Sequence, residues 1–153
     1  MMGERRPEPV KKYVLPDGAL YSGMVRKDAL RPEEFIPDGK GKIKWPNGDK
    51  YQGRFVGGVP NGEGIKEIVV SGTVIQGTFN QGMAQGQGKM TRENAQGVLE
   101  YCYEGGLLLD RQDGYGVETM ADGTRYEGYF KKGKKGPSGT WSLQNGNVYV
   151  GDF

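Results

Sequence analysis

A five-residue unit recurs along the chain: an aromatic residue, any residue, glycine, any residue and a second aromatic residue. Its three full copies and its three looser copies begin at Tyr51, Tyr126, Tyr149, Tyr21, Ile75 and Tyr103. The copies at Tyr126 and Tyr149 start 23 residues apart, and Gly39 and Gly62 have the same separation. A fixed period of this length predicts an array of structural repeats that stack on one another.

Two further motifs keep a constant position relative to this unit. A Gly-x-Gly motif begins seven residues after the last position of the unit at Gly62, Gly86 and Gly114. A turn dipeptide precedes most copies of the unit, at Asp17-Gly18, Asn47-Gly48, Ser71-Gly72, Asp122-Gly123 and Asn145-Gly146. Such dipeptides favour tight hairpin turns, because Gly and Asn adopt positive φ angles with little strain.

Side chains alternate with period two on both sides of these turns. Before Asn47-Gly48, Ile43 and Trp45 share one face of a strand, and the other face carries Lys40, Lys42 and Lys44. The strand after the turn alternates in the same way, and one of its faces carries Tyr51, Gly53 and Phe55. The pattern predicts an all-β fold: an elongated, single-layer antiparallel sheet of about six tandem β-hairpins, with aromatic rings as its core.

The glycine content changes its meaning once the period is known. The 153 residues include 28 Gly and 8 Pro, a proportion that would indicate disorder in an aperiodic sequence. The same chain carries 9 Tyr, 5 Phe and 2 Trp, which disordered chains rarely contain. Because many glycines recur at fixed repeat positions, we expect them to permit tight turns and the close approach of neighbouring rings.

The full pattern Y-x-G-x-F-x-x-G-x-x-x-G-x-G resembles the MORN repeat (membrane occupation and recognition nexus). The matching residues in the two best copies are Tyr51, Gly53, Phe55, Gly58, Gly62 and Gly64, then Tyr126, Gly128, Phe130, Gly133 and Gly139. The resemblance implies a twisted single-layer sheet used as an interaction module. Such arrays are found in cytoskeletal and ciliary scaffolds, in junctional membrane proteins and as accessory domains on some lipid kinases and methyltransferases.

The same pattern divides the chain. We expect an N-terminal tail over residues 1–10 and a MORN-repeat array over residues 11–153. Within the array, the spacing predicts an inserted loop at residues 26–38 and a degenerate repeat at residues 89–113. Insertions in repeat arrays usually form loops on one face.

Several kinds of chemistry are excluded or disfavoured. The chain has no His and one Cys, Cys102, which excludes His-based catalysis, His metal ligands and an internal disulfide. A GxxxxGK string ends at Lys134 but is followed by Lys135, where a phosphate-binding loop requires Ser or Thr. The net charge of +2 selects neither nucleic acid nor membrane. We therefore predict a protein that is not an enzyme, with no cofactor, no metal, no nucleic-acid partner and no small-molecule substrate.

The aromatic residues have two interpretations, a partner-binding stripe or a stacked core. The candidate partner-binding residues are Trp45, Tyr51, Phe55, Tyr126, Phe130, Trp141 and Tyr149. Exposed apolar stripes mark partner sites, whereas rings that stack between hairpins are simply buried. We expect both uses, with the core role dominant for Tyr51, Phe55, Tyr126 and Phe130.

A run of lysines also has two interpretations. Lys131, Lys132, Lys134 and Lys135 form a dense basic cluster that can contact anionic lipid headgroups or an acidic protein surface. The simpler interpretation is a solvated loop between repeats.

These observations favour a structural scaffold protein that docks other proteins in a cytoskeletal assembly, such as a ciliary or flagellar axoneme, in the cytoplasm. The alternatives are a peripheral membrane tether that binds anionic phospholipids through the basic loop, and an accessory MORN domain of a larger enzyme.

Overall fold

The computed structural model describes residues 8–152, so most of the predicted tail and Phe153, the last residue of the final aromatic unit, lie outside the described residues. Twelve antiparallel strands form one sheet in which spatial order equals sequence order. They are β1 (Glu8–Val14), β2 (Leu20–Lys27), β3 (Phe35–Lys44), β4 (Lys50–Val56), β5 (Val59–Ile68), β6 (Thr73–Asn80), β7 (Met83–Glu93), β8 (Leu99–Leu108), β9 (Arg111–Met120), β10 (Arg125–Lys131), β11 (Lys134–Ser142) and β12 (Val148–Asp152). At the usual strand spacing, the sheet is about 50 Å long across its strands. The predicted single-layer array of hairpins is confirmed.

The turn dipeptides close the hairpins as their chemistry predicts. In the turn before β4, Asn47 Oδ1 accepts a hydrogen bond of 2.9 Å from the backbone N–H of Asp49, and Gly48 follows with a φ of 95°. The turns at Asp17, Asp122 and Asn145 repeat this contact at the same distance. An Asn or Asp side chain that accepts from the backbone two residues on stabilises a tight reversal, and Gly supplies the positive φ.

A tyrosine ring lies across two glycines in four of the repeats. In the second repeat, the ring of Tyr51 occupies the space where a Cβ atom at Gly64 would stand. A Cβ atom at Gly53 would meet the backbone of Glu63 and Gly64 first, and then the Tyr51 hydroxyl. These two glycines face each other on β4 and β5, and the Tyr51 hydroxyl donates to the carbonyl of Arg54 at 2.9 Å. Tyr21, Tyr103 and Tyr126 make the same contact with the glycines of their own hairpins. The ring and the close backbone of the paired strand together explain why both motifs require glycine at these positions.

The second aromatic residue of the unit joins neighbouring repeats. The ring centroid of Phe55 is 5.2 Å from that of Tyr51 in its own repeat and 5.1 Å from that of Tyr21 in the preceding repeat. Phe130 lies in the same way between Tyr126 and Tyr103. These contacts are edge-to-face, the arrangement that aromatic quadrupoles favour. One continuous core results, in which Phe55, Phe79 and Phe130 each contact the tyrosine of the preceding repeat.

The backbone bends at the same glycines. Gly53 pairs with Gly64, but two residues later Phe55 pairs with Pro60, so the register shifts between them. Corresponding shifts occur in the pairs β2–β3, β6–β7, β8–β9 and β10–β11. A bulge bends and twists a strand, and here it lets two rings separated by four residues pack against each other.

The sheet has two unlike faces, which we name by what they carry. The tyrosine face carries the buried core, whose members include Tyr21, Tyr51, Tyr103 and Tyr126. The groove face carries the residues on either side of each repeat glycine, for example Gln52 and Arg54, which are exposed. Side chains alternate between faces along a strand, so the two sets do not mix.

The boundaries within the array differ from those expected. The first strand starts at Glu8 rather than after residue 10, because residues 8–10 pair with Val25, Met24 and Gly23 of β2. The loop predicted at residues 26–38 is confined to residues 28–34, because Arg26 and Lys27 continue the ladder opposite Ile36 and Phe35. The insertion mainly lengthens a hairpin.

The repeat that looked degenerate keeps the common packing. Within residues 89–113, Tyr103 is fully buried and its ring lies over Gly105 and Gly116. The repeat that departs is the preceding one, where Ile75 stands in place of the tyrosine and no ring covers Gly77.

Two paired glycines allow a direct test of the ring contact. Gly64→Ala places a methyl group against the Tyr51 ring, and we expect it to lower the free energy of unfolding by about 2–3 kcal/mol. Gly77→Ala is the matched control, since Gly77 pairs with Gly64 and the nearest atoms to its Cβ would be 3.4 Å away. Urea denaturation should show a change of less than about 1 kcal/mol for the control. Equal losses for the two variants would contradict the role assigned to the ring.

The buried phenols make the fold sensitive to alkali. Burial raises the pKa of Tyr21, Tyr51 and Tyr103 to about 12, from 10.0. Between these values the folded chain binds more protons than the unfolded chain, so stability that is present below pH 10 is lost as the pH rises towards 12. Denaturation midpoints measured across this range should fall, and the fall should be shallower in Tyr51→Phe. A midpoint that stays constant would contradict this account.

Candidate functional site

The structure divides the predicted partner-binding residues into three groups. Tyr51, Phe55, Tyr126 and Phe130 are at most 4% exposed and belong to the core. Trp45 and Trp141 are partly buried and pack against that core. Tyr149, on the edge strand β12, is 53% exposed. Of the seven residues, Tyr149 alone presents most of its ring to solvent, and the stripe as a whole is not an open surface.

The predicted lysine cluster is split by the strand alternation. Lys131, Lys132 and Lys134 are exposed around the turn between β10 and β11. Lys135 points to the tyrosine face, where its ammonium lies 2.8 Å from Glu118 Oε2 and 4.8 Å from the centroid of the Trp141 ring. This cation compensates the buried charge of Glu118, so its removal is expected to be costly. Three lysines therefore remain for contact with an anionic surface.

A row of glycines crosses the groove face from β2 to β12. Neighbouring members face each other across strand pairs, and the bulge in β6–β7 leaves Gly88 beside Gly77. The row consists of Gly23, Gly41, Gly53, Gly64, Gly77, Gly88, Gly105, Gly116, Gly128, Gly139 and Gly151. The side-chain positions of the row point to the tyrosine face, so its backbone forms the floor of a trough on the groove face, which we call the glycine groove. Three depressions of about 360, 760 and 280 Å³ follow it along the sheet.

One end of the glycine groove is basic. Alternation along β3 and β4 places five exposed cations on the groove face, which we call the basic patch: Lys40, Lys42, Lys44, Lys50 and Arg54. Two pairs of like charge face each other directly across the strands, Lys40 with Arg54 and Lys44 with Lys50. Like charges in this position are destabilising, so these two pairs do not stabilise the fold.

The other end of the groove is aromatic. Tyr115 and Tyr129 stand opposite each other on β9 and β10, with ring centroids 5.5 Å apart, and are 50% and 57% exposed. A hydrogen bond with Glu127 raises the pKa of the Tyr115 phenol and lowers that of the Glu127 carboxyl. This contact anchors one ring and leaves its face open to solvent.

Sequence reasoning missed both ends of the groove, although the signals were present. Lys40, Lys42 and Lys44 stand at every second position of a strand, so their side chains lie on the same face. Lys131 and Lys132 are adjacent, and adjacent positions of a strand point to opposite faces. Tyr115 lies between the two glycines of a Gly-x-Gly motif, and Tyr129 lies next to the second aromatic position of a repeat. Both positions alternate onto the face opposite the core.

Other chemical sites find no support in the described part of the chain. Residues 8–152 contain no cluster of three or more His, Cys, Asp or Glu residues placed to hold a metal ion. The string that resembles a phosphate-binding loop forms a strand, a turn and a strand, from Gly128 on β10 to Lys134 on β11. Among the same residues there is no helix with the length and apolar character needed to cross a bilayer.

Two neighbouring lysines separate core from surface experimentally. Lys135→Met removes the cation from Glu118, whose carboxylate is buried, and we expect it to lower the free energy of unfolding by about 2 kcal/mol. The matched control, Lys134→Met, removes an exposed cation and should change stability by less than about 0.5 kcal/mol. In chemical denaturation, adding Glu118→Gln to the Lys135 variant should recover part of the loss. Similar losses of unfolding free energy in Lys135→Met and Lys134→Met would refute the assignment of Lys135 to the core and Lys134 to the surface.

The comparisons with known proteins agree with this architecture. The family model of the MORN repeat matches residues 36–50, 51–67, 76–95, 103–125 and 126–148. Alsin from mouse and from human is 29% identical over 144 residues, which span 90% of this chain and 8% of each relative. Rat alsin is 28% identical over 140 residues, again with 8% of its length matched. This chain thus corresponds to a small part of these relatives.

Solved structures that match this chain include one of low overall similarity. The SAS-4 (dCPAP) TCP domain in complex with a Proline Rich Motif of Ana2 (dSTIL) of Drosophila melanogaster is 12% identical to this chain. The alignment covers 94% of this chain and 88% of that one, at a TM-score of 0.26. The family matches, by contrast, cover well over half of the chain and coincide with consecutive hairpins of the sheet. The chain belongs to the MORN repeat family.

Proposed function

We propose that this MORN array is a non-catalytic docking module that binds other proteins through its groove face. The observation that carries the proposal is the exposed Tyr115–Tyr129 pair beside the glycine groove. The tyrosine face is occupied by its own core, whereas these two rings are not members of that core and are 50% and 57% exposed. Exposed aromatic rings are enriched in protein interfaces, because they offer a large contact area at a low entropic cost.

The glycine groove suits a protein partner for a second reason. Because the side-chain positions of the row point to the tyrosine face, a partner chain can approach the backbone of the row closely from the groove face. Side chains on both sides of the row, such as Gln52 and Arg54, then flank the bound chain. A trough with polar walls and an aromatic end gives both contact area and orientation.

The setting that we propose is a cytoskeletal assembly in the cytoplasm, such as a ciliary or flagellar axoneme. Membership of a repeat family that serves as a scaffold in such assemblies supports it. The length of the matched relatives supports a related possibility, an accessory interaction module within a larger protein, because 8% of each alsin chain aligns with this one.

A second candidate is a peripheral membrane tether. The exposed turn that carries Lys131, Lys132 and Lys134 favours it, since each basic residue near an anionic surface contributes about 1 kcal/mol. Three lysines are a weak anchor alone, so the docking proposal is preferred.

The aromatic pair provides the test of docking. Immobilised protein is used to capture partners from cells that express it, and retained proteins are quantified by mass spectrometry. We expect Tyr115→Ser combined with Tyr129→Ser to reduce retention about tenfold or more, because truncating an aromatic anchor removes most of its contact area. The matched control combines Leu30→Ser with Val70→Ser, which are 90% and 93% exposed and lie in loops away from the groove.

The result separates the two candidates. Equal retention by both double variants would refute docking through the groove face. Retention by phosphatidylserine vesicles that is lost in Lys131→Glu combined with Lys132→Glu would support the tether instead. Thermal melting of every variant confirms that the array remains folded.

A further inference from the structure

We propose that the basic patch binds an acidic, extended segment of a partner polypeptide with carboxylates at alternate positions. The inference deepens the docking function proposed above and rests on it. It names the chemistry of the partner at the basic end of the glycine groove.

The cations of the patch are free to bind. Within residues 8–152, Lys40, Lys42, Lys44 and Arg54 form no ion pair, and Lys50 reaches Glu67 at a distance of 4.0 Å. The like-charge pairs across β3 and β4 are therefore largely unrelieved. An incoming carboxylate would remove this repulsion and form a new ion pair at the same time.

The spacing of the cations indicates an extended ligand. Lys40, Lys42 and Lys44 lie at every second position of β3. Along a strand, such positions are about 7 Å apart. A partner segment in the extended conformation that runs along β3, and so crosses the glycine groove at Gly41, repeats its own side chains at the same distance. Carboxylates at alternate positions can then meet all three lysines in register.

Apolar neighbours strengthen these contacts. A depression of about 520 Å³ beside Lys42 and Lys44 is also lined by Leu20 and Ile65, which are 40% and 42% exposed. A segment lying there displaces water from apolar surface. The resulting ion pairs are then less screened than pairs on an open surface.

Two carboxylates favour a polypeptide over a broader polyanion. Glu67 faces Lys50 across β4 and β5, and Glu63 lies on the same strand two positions from Ile65. Both border the basic patch, which is therefore only two strands wide, about 10 Å. A membrane or a nucleic acid would bring phosphates against these carboxylates, whereas a narrow acidic segment meets the cations alone.

The test uses a synthetic probe. A fluorescein-labelled peptide of about nine residues that alternates Glu with Thr is titrated with the protein, and anisotropy is recorded at about 50 mM and about 200 mM salt. We expect saturable binding that weakens with salt. Lys42→Glu combined with Lys44→Glu should raise the dissociation constant about tenfold or more.

The controls match the charge change and the composition. Lys131→Glu combined with Lys132→Glu alters the net charge equally at another exposed site and should leave binding unchanged. A peptide with the same residues but its glutamates in one consecutive block should bind at least about threefold more weakly. A peptide with Gln in place of Glu should not bind.

Each opposite outcome overturns the inference. If the two lysine double variants weaken peptide binding equally, the peptide responds to the net charge of the protein and not to the basic patch. Equal binding of the block peptide would exclude the register match. Failure of the peptide to bind, together with phosphatidylserine vesicle binding that requires Lys42 and Lys44, would assign the patch to a membrane. If the peptide fails while the Tyr115 and Tyr129 variant still loses partner retention, this inference fails and the docking function stands.

Discussion

The packing of a tyrosine ring across two facing glycines governs the rest of the sheet. The ring of Tyr51 fills the space of a Cβ atom at Gly64, and its hydroxyl and the backbone of β5 crowd that of Gly53, so glycine is required on two strands at once. Its hydroxyl then fixes the bulge by donating to the carbonyl three residues ahead. Repetition of this contact aligns the glycines into a row, and the row becomes the floor of a groove on the other face. The core contact and the candidate binding surface therefore have one physical origin.

Two charged residues on the tyrosine face show how the array tolerates departures from an apolar core. Lys66 and Glu118 each occupy the strand position that faces tyrosines or their substitutes in neighbouring strands. Lys66 pairs with Asp110, which also accepts from the backbone N–H of Ala84 at 2.7 Å, while Glu118 pairs with Lys135. A buried charge is tolerated when an opposite charge pairs with it. Both partners come from turns or strands of other hairpins, so these pairs also join repeats.

The features that sequence predicted well depend on neighbours along the chain. Asn47 and Gly48 specify their turn with a few local atoms, and period-two alternation then places Tyr51 and Phe55 on one face. Features that depend on contacts between repeats were beyond this reasoning. Nothing near Lys135 in the sequence indicates that its ammonium group forms an ion pair with Glu118, which lies on another hairpin.

The candidate site was harder to predict than the fold because residues that are neighbours in the sheet can be far apart in the sequence. Lys131 and Lys132 are adjacent in the chain, yet neighbouring residues of a strand point to opposite faces. Lys40 and Arg54 are far apart in the chain but stand directly opposite each other. The same reasoning applies to Tyr115 and Tyr129, which are brought together by the pairing of β9 with β10.

The tyrosine face holds the core and the groove face is open, which limits how a partner can bind the array. Substitution on the tyrosine face disturbs packing, whereas residues beside the glycine groove are free to differ from repeat to repeat. In this chain they form a basic end on β3 and β4 and an aromatic end on β9 and β10. Six strand spacings separate the two ends, about 29 Å.

A partner that touches both must present two separated contacts, one acidic and one that packs on rings. Because one sheet holds both ends in fixed order, binding at the first raises the effective concentration of the partner at the second. Two modest contacts can then give a selective interaction, since a protein that offers only one of them lacks this gain.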